Sequence, residues 1–391
     1  MAMHGEDSVL EGIEHFRARR RLPPLDTELL VSLIDEIALN GHEPAKYVAE
    51  LFAKHEIVFV GQRFPSRKAG LFLQELIPAV YAAGVNRVGI EWACVDDQTL
   101  LDELVGAKDF DEGIATSAIF RWGLRHHFAY VEYLDILRSI WAVNRTRPSN
   151  EPSLRVIALD YDIDVDAVTE TADLLSPYAW SHLRPRGPAS KHMAEVLLRE
   201  CTEKGEKTIV FSQTENALTR LRRIPHFVVD EIDREIIDGR VVGCGNHVYG
   251  AIADQAATVL LHQPLTADGE HGSFTLPADG YLDAAFAHTN GPAFPVAFDA
   301  SSGLIGRLPC ATSIDGGEVS QLAQGWIFLE AGSEVRGPTP LQGLVDEINL
   351  REARRWSLDP YLRRSEATVD DFVAAINNSA AAAELGWTQI V

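Results

Sequence analysis

Cysteine is scarce: Cys94, Cys201, Cys244 and Cys310 are the only four in 391 residues, and no two form a C-x-x-C pair. That spacing excludes a zinc ribbon and a dithiol redox motif, and it suits a reducing compartment. No window reaches 18 apolar residues, and the opening MAMHGEDSVLEG lacks the basic-then-apolar pattern of a secretory leader. A cytoplasmic protein without a membrane span is therefore expected. Positive charge is in deficit, with 35 Lys and Arg against 57 Asp and Glu, a net charge of −22. Such a field repels phosphate backbones and anionic membranes, so neither nucleic acid nor a lipid surface is an expected partner. The one basic cluster, Arg17, Arg19, Arg20 and Arg21, falls at the end of the first helical segment, where it complements the helix dipole before Pro23 and Pro24 stop the chain. G-x-S-x-G, H-E-x-x-H and Walker A patterns are absent, as are dense His/Asp clusters at metal-ligand spacing, internal repeats and low-complexity tracts.

What remains is a chain with 46% hydrophobic residues, ample for one large α/β domain with insertions. Amphipathic spacing over residues 8–54 predicts helices. From residue 56, apolar runs of strand type (Ile57–Val60, Val88–Ile90, Val156–Leu159, Thr208–Phe211 and Val259–Leu261) alternate with helical patterns over 67–83, 96–105, 114–144, 164–176, 189–203 and 231–238. Continuous Val/Ile/Leu/Phe strands separated by helices indicate a mostly parallel central sheet covered on both faces, the α/β class. After residue 263 the texture becomes rich in Gly, Pro, Ala and Asp, with one helix near 280–288, and Trp326–Leu329 returns to the sheet. Helices near 340–355 and 368–384 close the chain. Three parts are expected: an N-terminal helical segment (1–55), a core (56–335) carrying a loop-rich insertion (263–320), and C-terminal helices (336–391).

In a parallel sheet, chemistry gathers at the carboxyl ends of the strands. Here those ends are polar. The first run exits into Gly61-Gln62-Arg63-Phe64, the second into Glu91-Trp92, the third into Asp160-Tyr161-Asp162, and the fourth into Ser212-Gln213-Thr214-Glu215-Asn216. Asp160 and Asp162 also suit helix capping, and Gln213 and Thr214 suit an ordinary loop. Glu91 is sharper, because a carboxylate directly behind RVGI requires a partner. Arg63 is the nearest candidate if the first two strands are neighbours, as short crossovers favour. A second concentration, Arg121, Trp122, Arg125, His126 and His127, opens the pattern over 120–144. Its buried face would be Phe128, Val131, Leu134, Leu137, Ile140 and Trp141. By themselves, both histidines suit an ordinary surface or core role better than catalysis. In VVGCGNHVYGAIADQ, Gly243 and Gly245 bracket Cys244, and His247 at a helix start is a general acid/base candidate. The spacing is not that of a dinucleotide fingerprint. His271, in GEHGS, suits a surface turn.

The order of these pieces resembles the erythromycin esterase-like / ChaN-like / TIKI superfamily. In that group a strand ends in Gly-Glu-x-(x)-His and is followed by a helix and a second strand ending in Glu. The segment VFVGQRFPSRKAGLFLQELI…GVNRVGIEWA is similar to that unit. FRWGLRHHFAYVEYLDILRSIWAVNRTRP…LRVIALDYD resembles the group's long Trp-bearing helix and its strand ending in aspartate. KGEKTIVFSQTENAL occupies the place of its Val-x-x-x-His-Asn-x-His strand. The resemblance spans roughly residues 56–262 and the GWIFLEAG strand. Where the group places glutamate and histidine, this chain has Gln62 and Phe64. Where it delivers later histidines, this chain has Gln213 and Glu215 or Asn216. Glu91 is kept.

The resemblance implies a divergent enzyme acting by acid/base chemistry on a small polar molecule. Glu91, Arg63, His247 and His126 would be the catalytic residues. Gln62, Phe64, Trp92, Trp122, His127, Asp160, Tyr161, Asp162, Gln213 and Glu215 would bind the substrate. Two alternatives stay open: a haem or small-molecule binder using the rim aromatics with His126 or His247 as axial ligand, and a metal-dependent hydrolase with Glu91, Asp160, Asp162, Glu215 and a histidine as substituted ligands. The sequence itself requires no cofactor, and it is compatible with a homo-oligomer.

Overall fold

Apolar strands alternating with helices should align in parallel with both faces covered, and in the computed structural model they do. The structure describes residues 3–168, 183–220, 222–223, 235–237, 240–266, 274–288, 295–310 and 317–388. Seven strands form the main sheet: β1 Ile57–Gln62, β2 Arg87–Cys94, β3 Arg155–Asp160, β4 Thr208–Gln213, β5 Ala256–Leu261, β6 Val296–Asp299 and β7 Gly325–Phe328. Their order is β6-β7-β5-β1-β4-β2-β3, and every pairing is parallel except β6 with β7.

Side chains alternate across the sheet, so each strand feeds two cores. Val58, Val60, Val156, Ala158, Ile209 and Phe211 join one apolar layer. Ile57, Phe59, Ile157, Leu159 and Val210 join the other. Helices α1 Met3–Arg19, α2 Thr27–Asn40, α3 Pro44–Leu51, α4 Arg67–Ala82, α5 Gln98–Gly106, α6 Glu112–His126 and α7 Val131–Thr146 precede β3. After it come α8 Ala189–Glu200, the single turn α9 Thr214–Ala217, α10 Cys244–Ile252, α11 Tyr281–His288, α12 Leu350–Trp356 and α13 Val369–Thr388. Residues of α4–α7, α12 and α13 cover the first layer, and residues of α1, α2, α8, α10 and α11 the second. The N-terminal basic cluster does more than complement a dipole. Arg17 is buried and donates to the carbonyls of Pro23 and Asp279, fastening α1 to the turn before α11. Among the described residues, no helix is long and apolar enough to cross a membrane.

Several expectations are corrected. β1 and β2 are not neighbours, because β4 lies between them and pairs with both. The α4 crossover leaves one strand position open, and β4, with its buried Ile209–Phe211 centre, fills it. The pattern over 114–144 is two helices. His127 takes the left-handed conformation (φ 56°) and returns its N–H to Gly123, ending α6, and Tyr130 then bridges to Pro340 before α7 begins. Within 231–238, Glu235–Ile237 is a strand paired with Arg240–Val242, as its β-branched residues favour. Residues 231–234 of that pattern lie outside the described residues. In 164–176 the described part holds a single tight turn, Val165–Ala167, and the remainder from 169 onward lies outside. His271 also lies outside. The insertion hides β6, an edge strand that pairs through Ala297 with His42 between α2 and α3, so the edge is covered.

Candidate functional site

Parallel pairing brings the strand ends level. Gln62 stands opposite Gln213, while Ile57 and Arg87 both stand opposite Thr208, so β1, β4 and β2 finish at one rim. The β2–β3 ladder then breaks. Ile90 pairs with Ala158 and Cys94 with Asp160, so four steps along β2 match two along β3. The irregularity falls on Glu91–Ala93, and it re-aims Glu91 and Trp92 out of the regular pleat.

The partner that Glu91 requires is the β4 exit. One carboxylate oxygen accepts the Gln213 N–H at 2.7 Å, and the other accepts the Asn216 side-chain amide at 2.9 Å. Arg63 is paired instead with the buried Glu215, 3.1 Å from Nη1 to Oε1. Gln263, the second residue after β5, fixes the turn that carries Arg63. Its Oε1 accepts from the Arg63 and Phe64 N–H groups at 2.6 and 2.9 Å, and its Nε2 donates to the Phe64 carbonyl at 2.8 Å.

Gln62, Arg63, Glu91, Trp92, Ser212 and Gln213 line one cleft with Pro65, Trp122, Phe128 and Tyr133. Its free interior is 20 Å³, room for about one water molecule. The wall is aromatic. Trp92 stacks on Tyr133 with centroids 4.5 Å apart, and Trp122 packs edge-on to Tyr133 at 6.5 Å. Three lining residues carry a buried polar atom without a hydrogen-bond partner: Arg63 Nε, Trp92 Nε1 and Ser212 Oγ. Unpaired buried donors are costly, about 1–3 kcal/mol each, and are rare without a reason.

The glycines around Cys244 serve close approach. A β-carbon at Gly243 would lie 2.2 Å from the Glu215 carbonyl oxygen, and one at Gly245 2.6 Å from that of Leu218. Both contacts are with backbone, so α10 presses directly on the turn that carries Glu215 and Asn216. Asn246 reaches back to the Gly243 N–H at 2.8 Å and closes the helix start. Gly243→Ala is expected to cost about 1–3 kcal/mol by overpacking. Gly250→Ala, on the exposed side of the same helix with nothing within 4 Å, is expected to gain about 0.5–1 kcal/mol. Urea unfolding of both variants checks this, and equal effects would contradict the close approach.

The other expected site residues lie elsewhere. Asp160 is buried and held by Arg125 and by Arg184, the latter at 3.0 Å. Burial pushes its carboxyl up, but the two guanidiniums outweigh burial and bring it down to about 2. Tyr161 is buried with its hydroxyl on the Gly187 carbonyl, and Asp162 pairs with Arg121. Arg121 is shared with Asp97 at 3.7 Å, whose carboxyl burial pushes up to about 6. His126 packs against Trp122 at 4.7 Å, and burial, with Arg125 beside it, lowers its imidazole to about 3. His127 caps α6, His247 lies in the first turn of α10, and neither lines the cleft. The Phe64 ring lies beside the Arg63 guanidinium, 5.5 Å away. Of the four proposed catalytic residues, the cleft therefore collects Glu91 and Arg63.

Tyr133, Ser212 and Gln263 contribute to this site without having been singled out as binding residues. Gln263 had a usable signal, since the strand-exit rule applied to Val259–Leu261 points to His262-Gln263. His262 itself is sealed, bonded to Asp283 at 2.9 Å and accepting from Trp326 at 3.1 Å. No metal centre fits the described residues, and a haem held by His126 or His247 does not fit this cleft, because neither residue lines it. No group of three or more His, Cys, Asp or Glu side chains is placed to hold a metal. Asp160, Asp162 and Glu215 are committed to arginines, and no histidine lines the cleft.

No family model matches the sequence, and no curated protein matches it. Solved structures do. A succinoglycan biosynthesis protein aligns over 79% of this chain and 97% of its own, at 11% identity and a TM-score of 0.53. A Bacillus cereus protein covers 78% of this chain and 98% of its own, at 11% identity and TM-score 0.48. A mutant of the erythromycin esterase EreC in its open conformation covers 76% and 94%, at 11% identity and TM-score 0.47. At this identity the likeness to the succinoglycan biosynthesis protein is one of fold.

Proposed function

We propose that the chain is an enzyme that takes a small polar molecule with an oxyanionic or carbonyl group into this cleft and works on it by acid/base chemistry. The observation that carries the reading is the meeting of Glu91, Arg63 and three unpaired polar atoms in one aromatic-walled cleft. Glu91, oriented by Gln213 and Asn216, takes a proton from water or a substrate hydroxyl and returns it to the leaving group. Arg63, backed by Glu215, stabilises the negative charge that develops on the substrate oxygen. The N–H of Trp92 and the hydroxyl of Ser212 are further donors for that oxygen. The cleft is narrow, so it admits the reacting end of the molecule and leaves the rest across Trp122 and Phe128.

Trp92 and Trp122 make the site observable by fluorescence. Titration with a panel of small carboxylates, lactones and phosphate monoesters is expected to perturb tryptophan emission. Arg63→Ala is expected to weaken the responding ligand by about tenfold, the worth of one charge-assisted hydrogen bond. No response to any member, or equal affinity in the variant, would defeat the proposal.

A further inference from the structure

The opposite edge of the sheet holds a second concentration of charge. Arg87 and Arg155 open β2 and β3, and Arg145 and Arg147 close α7 and the segment after it. These four line one cavity of 410 Å³, and Asp102 is the one carboxylate lining it. Because the strands are parallel, this cavity faces away from the Glu91 rim. In a chain of net charge −22, such a gathering of guanidiniums repels itself unless something offsets it.

Part of the offset is internal. Arg155 forms a two-pronged pair with Asp102, both contacts at 2.8 Å, and reaches Glu200 at 3.4 Å. Arg87 pairs with Glu206 at 3.0 Å. Arg147 donates to the carbonyls of Pro148 and Glu151. Of the carboxylates that pair with these arginines (Asp102, Glu200 and Glu206), only Asp102 lines the cavity. Arg145 is exposed and has no ion pair among the described residues. The Nε atoms of Arg87 and Arg147 are buried without a partner. The walls are firm. Asn144 donates to the carbonyls of Val105 and Leu154 and accepts the Leu154 N–H, tying α7 to the start of β3.

Ion pairing explains Arg155, and the dipole of α7 favours Arg145 at its end. Neither explains why Arg87 and Arg147 join them around one open space that a single carboxylate lines. A bound oxyanion does, because guanidinium forks match its oxygens in pairs. We propose that this cavity is a binding site for a phosphate-bearing small molecule, separate from the Glu91 cleft and independent of the function proposed for it. Its volume lies in the range of ordinary small-ligand sites.

Isothermal titration of the intact protein with inorganic phosphate and with pyrophosphate tests this. Both should bind, pyrophosphate more tightly, with affinity falling as salt rises. Arg145→Ala removes no internal contact, so it leaves the fold intact, and it should weaken pyrophosphate by about tenfold. The double variant Arg145→Ala/Arg147→Ala should weaken it further. Arg138→Ala, at a half-buried arginine of α7 outside the cavity, and Arg63→Ala should bind as the unmodified protein does. Three results would overturn the proposal: no heat from either probe, unchanged binding in Arg145→Ala and the double variant, or loss of binding in Arg63→Ala, which would place the anion in the cleft instead.

Discussion

Asp160→Asn is expected to destabilise the protein by about 3–5 kcal/mol, the usual consequence of removing one partner from a buried ion network. Asparagine keeps the shape and can still accept the Tyr161 N–H. What it loses is the charge between two guanidiniums. Arg125 is 3% exposed and Arg184 7%, so neither can turn to water without unpacking α6 or the segment after β3. The same network sets an acid limit. The Asp160 carboxyl sits at about 2 in the folded protein against an ordinary 3.8. A lowered folded value means that its contribution is fully present above about pH 4 and is lost as pH falls toward 2, roughly 2 kcal/mol in all. Denaturant unfolding at pH 7 and at stepped acidic pH measures both effects. A change below about 1 kcal/mol at pH 7 would mean that the pair is relieved by solvent. Loss of activity without loss of stability would move Asp160 from the scaffold into the chemistry.

The contrast between Asp160 and Glu91 shows what the sequence could carry. Both are carboxylates directly behind buried apolar strands, and the pattern that located them is the same. Runs such as Val156–Leu159 and Thr208–Phe211 are legible because strands buried on both faces tolerate almost nothing polar, so their ends stand out. The fate of each carboxylate depends on arginines far off in sequence. Arg125 arrives through the end of α6 and Arg184 from a separate segment, and no local spacing announces either.

Strand order was hidden for a related reason. A crossover helix fixes handedness, not how many positions it skips, so the expected Arg63–Glu91 pair became Arg63–Glu215 and Glu91–Asn216. The break at His127 is set by the Tyr130–Pro340 bridge, a tertiary contact across more than two hundred residues. β6 was obscured by the Gly, Pro and Ala around it, since a four-residue edge strand leaves too short a pattern. Three arginines of the second cavity, Arg145, Arg147 and Arg155, fall within eleven residues of chain, and Arg87 joins them because β2 and β3 are neighbours.

Glu91→Gln is expected to lower turnover by about 10²–10⁴-fold, the range associated with a lost general base, with the fold retained. The amide can still accept the Gln213 N–H. Its NH₂ group then faces the Asn216 amide, which can rotate to offer oxygen instead. Asn216 gives up only a long contact with the Cys244 N–H at 3.4 Å. The stability cost should therefore stay near 1 kcal/mol, well below that of Asp160→Asn. Glu91→Asp keeps the charge but withdraws it by one methylene, so partial activity is expected there, as positioning accounts for a large share of such catalysis. The assay is initial-rate measurement on whichever ester, lactone or phosphate monoester the unmodified protein turns over, beside thermal unfolding of each variant. Full activity in Glu91→Gln would remove this carboxylate from the mechanism. Equal loss in both variants together with a collapsed melting curve would make it a strut between β2 and β4, because only a reacting group should distinguish an amide from a shortened acid while the fold holds.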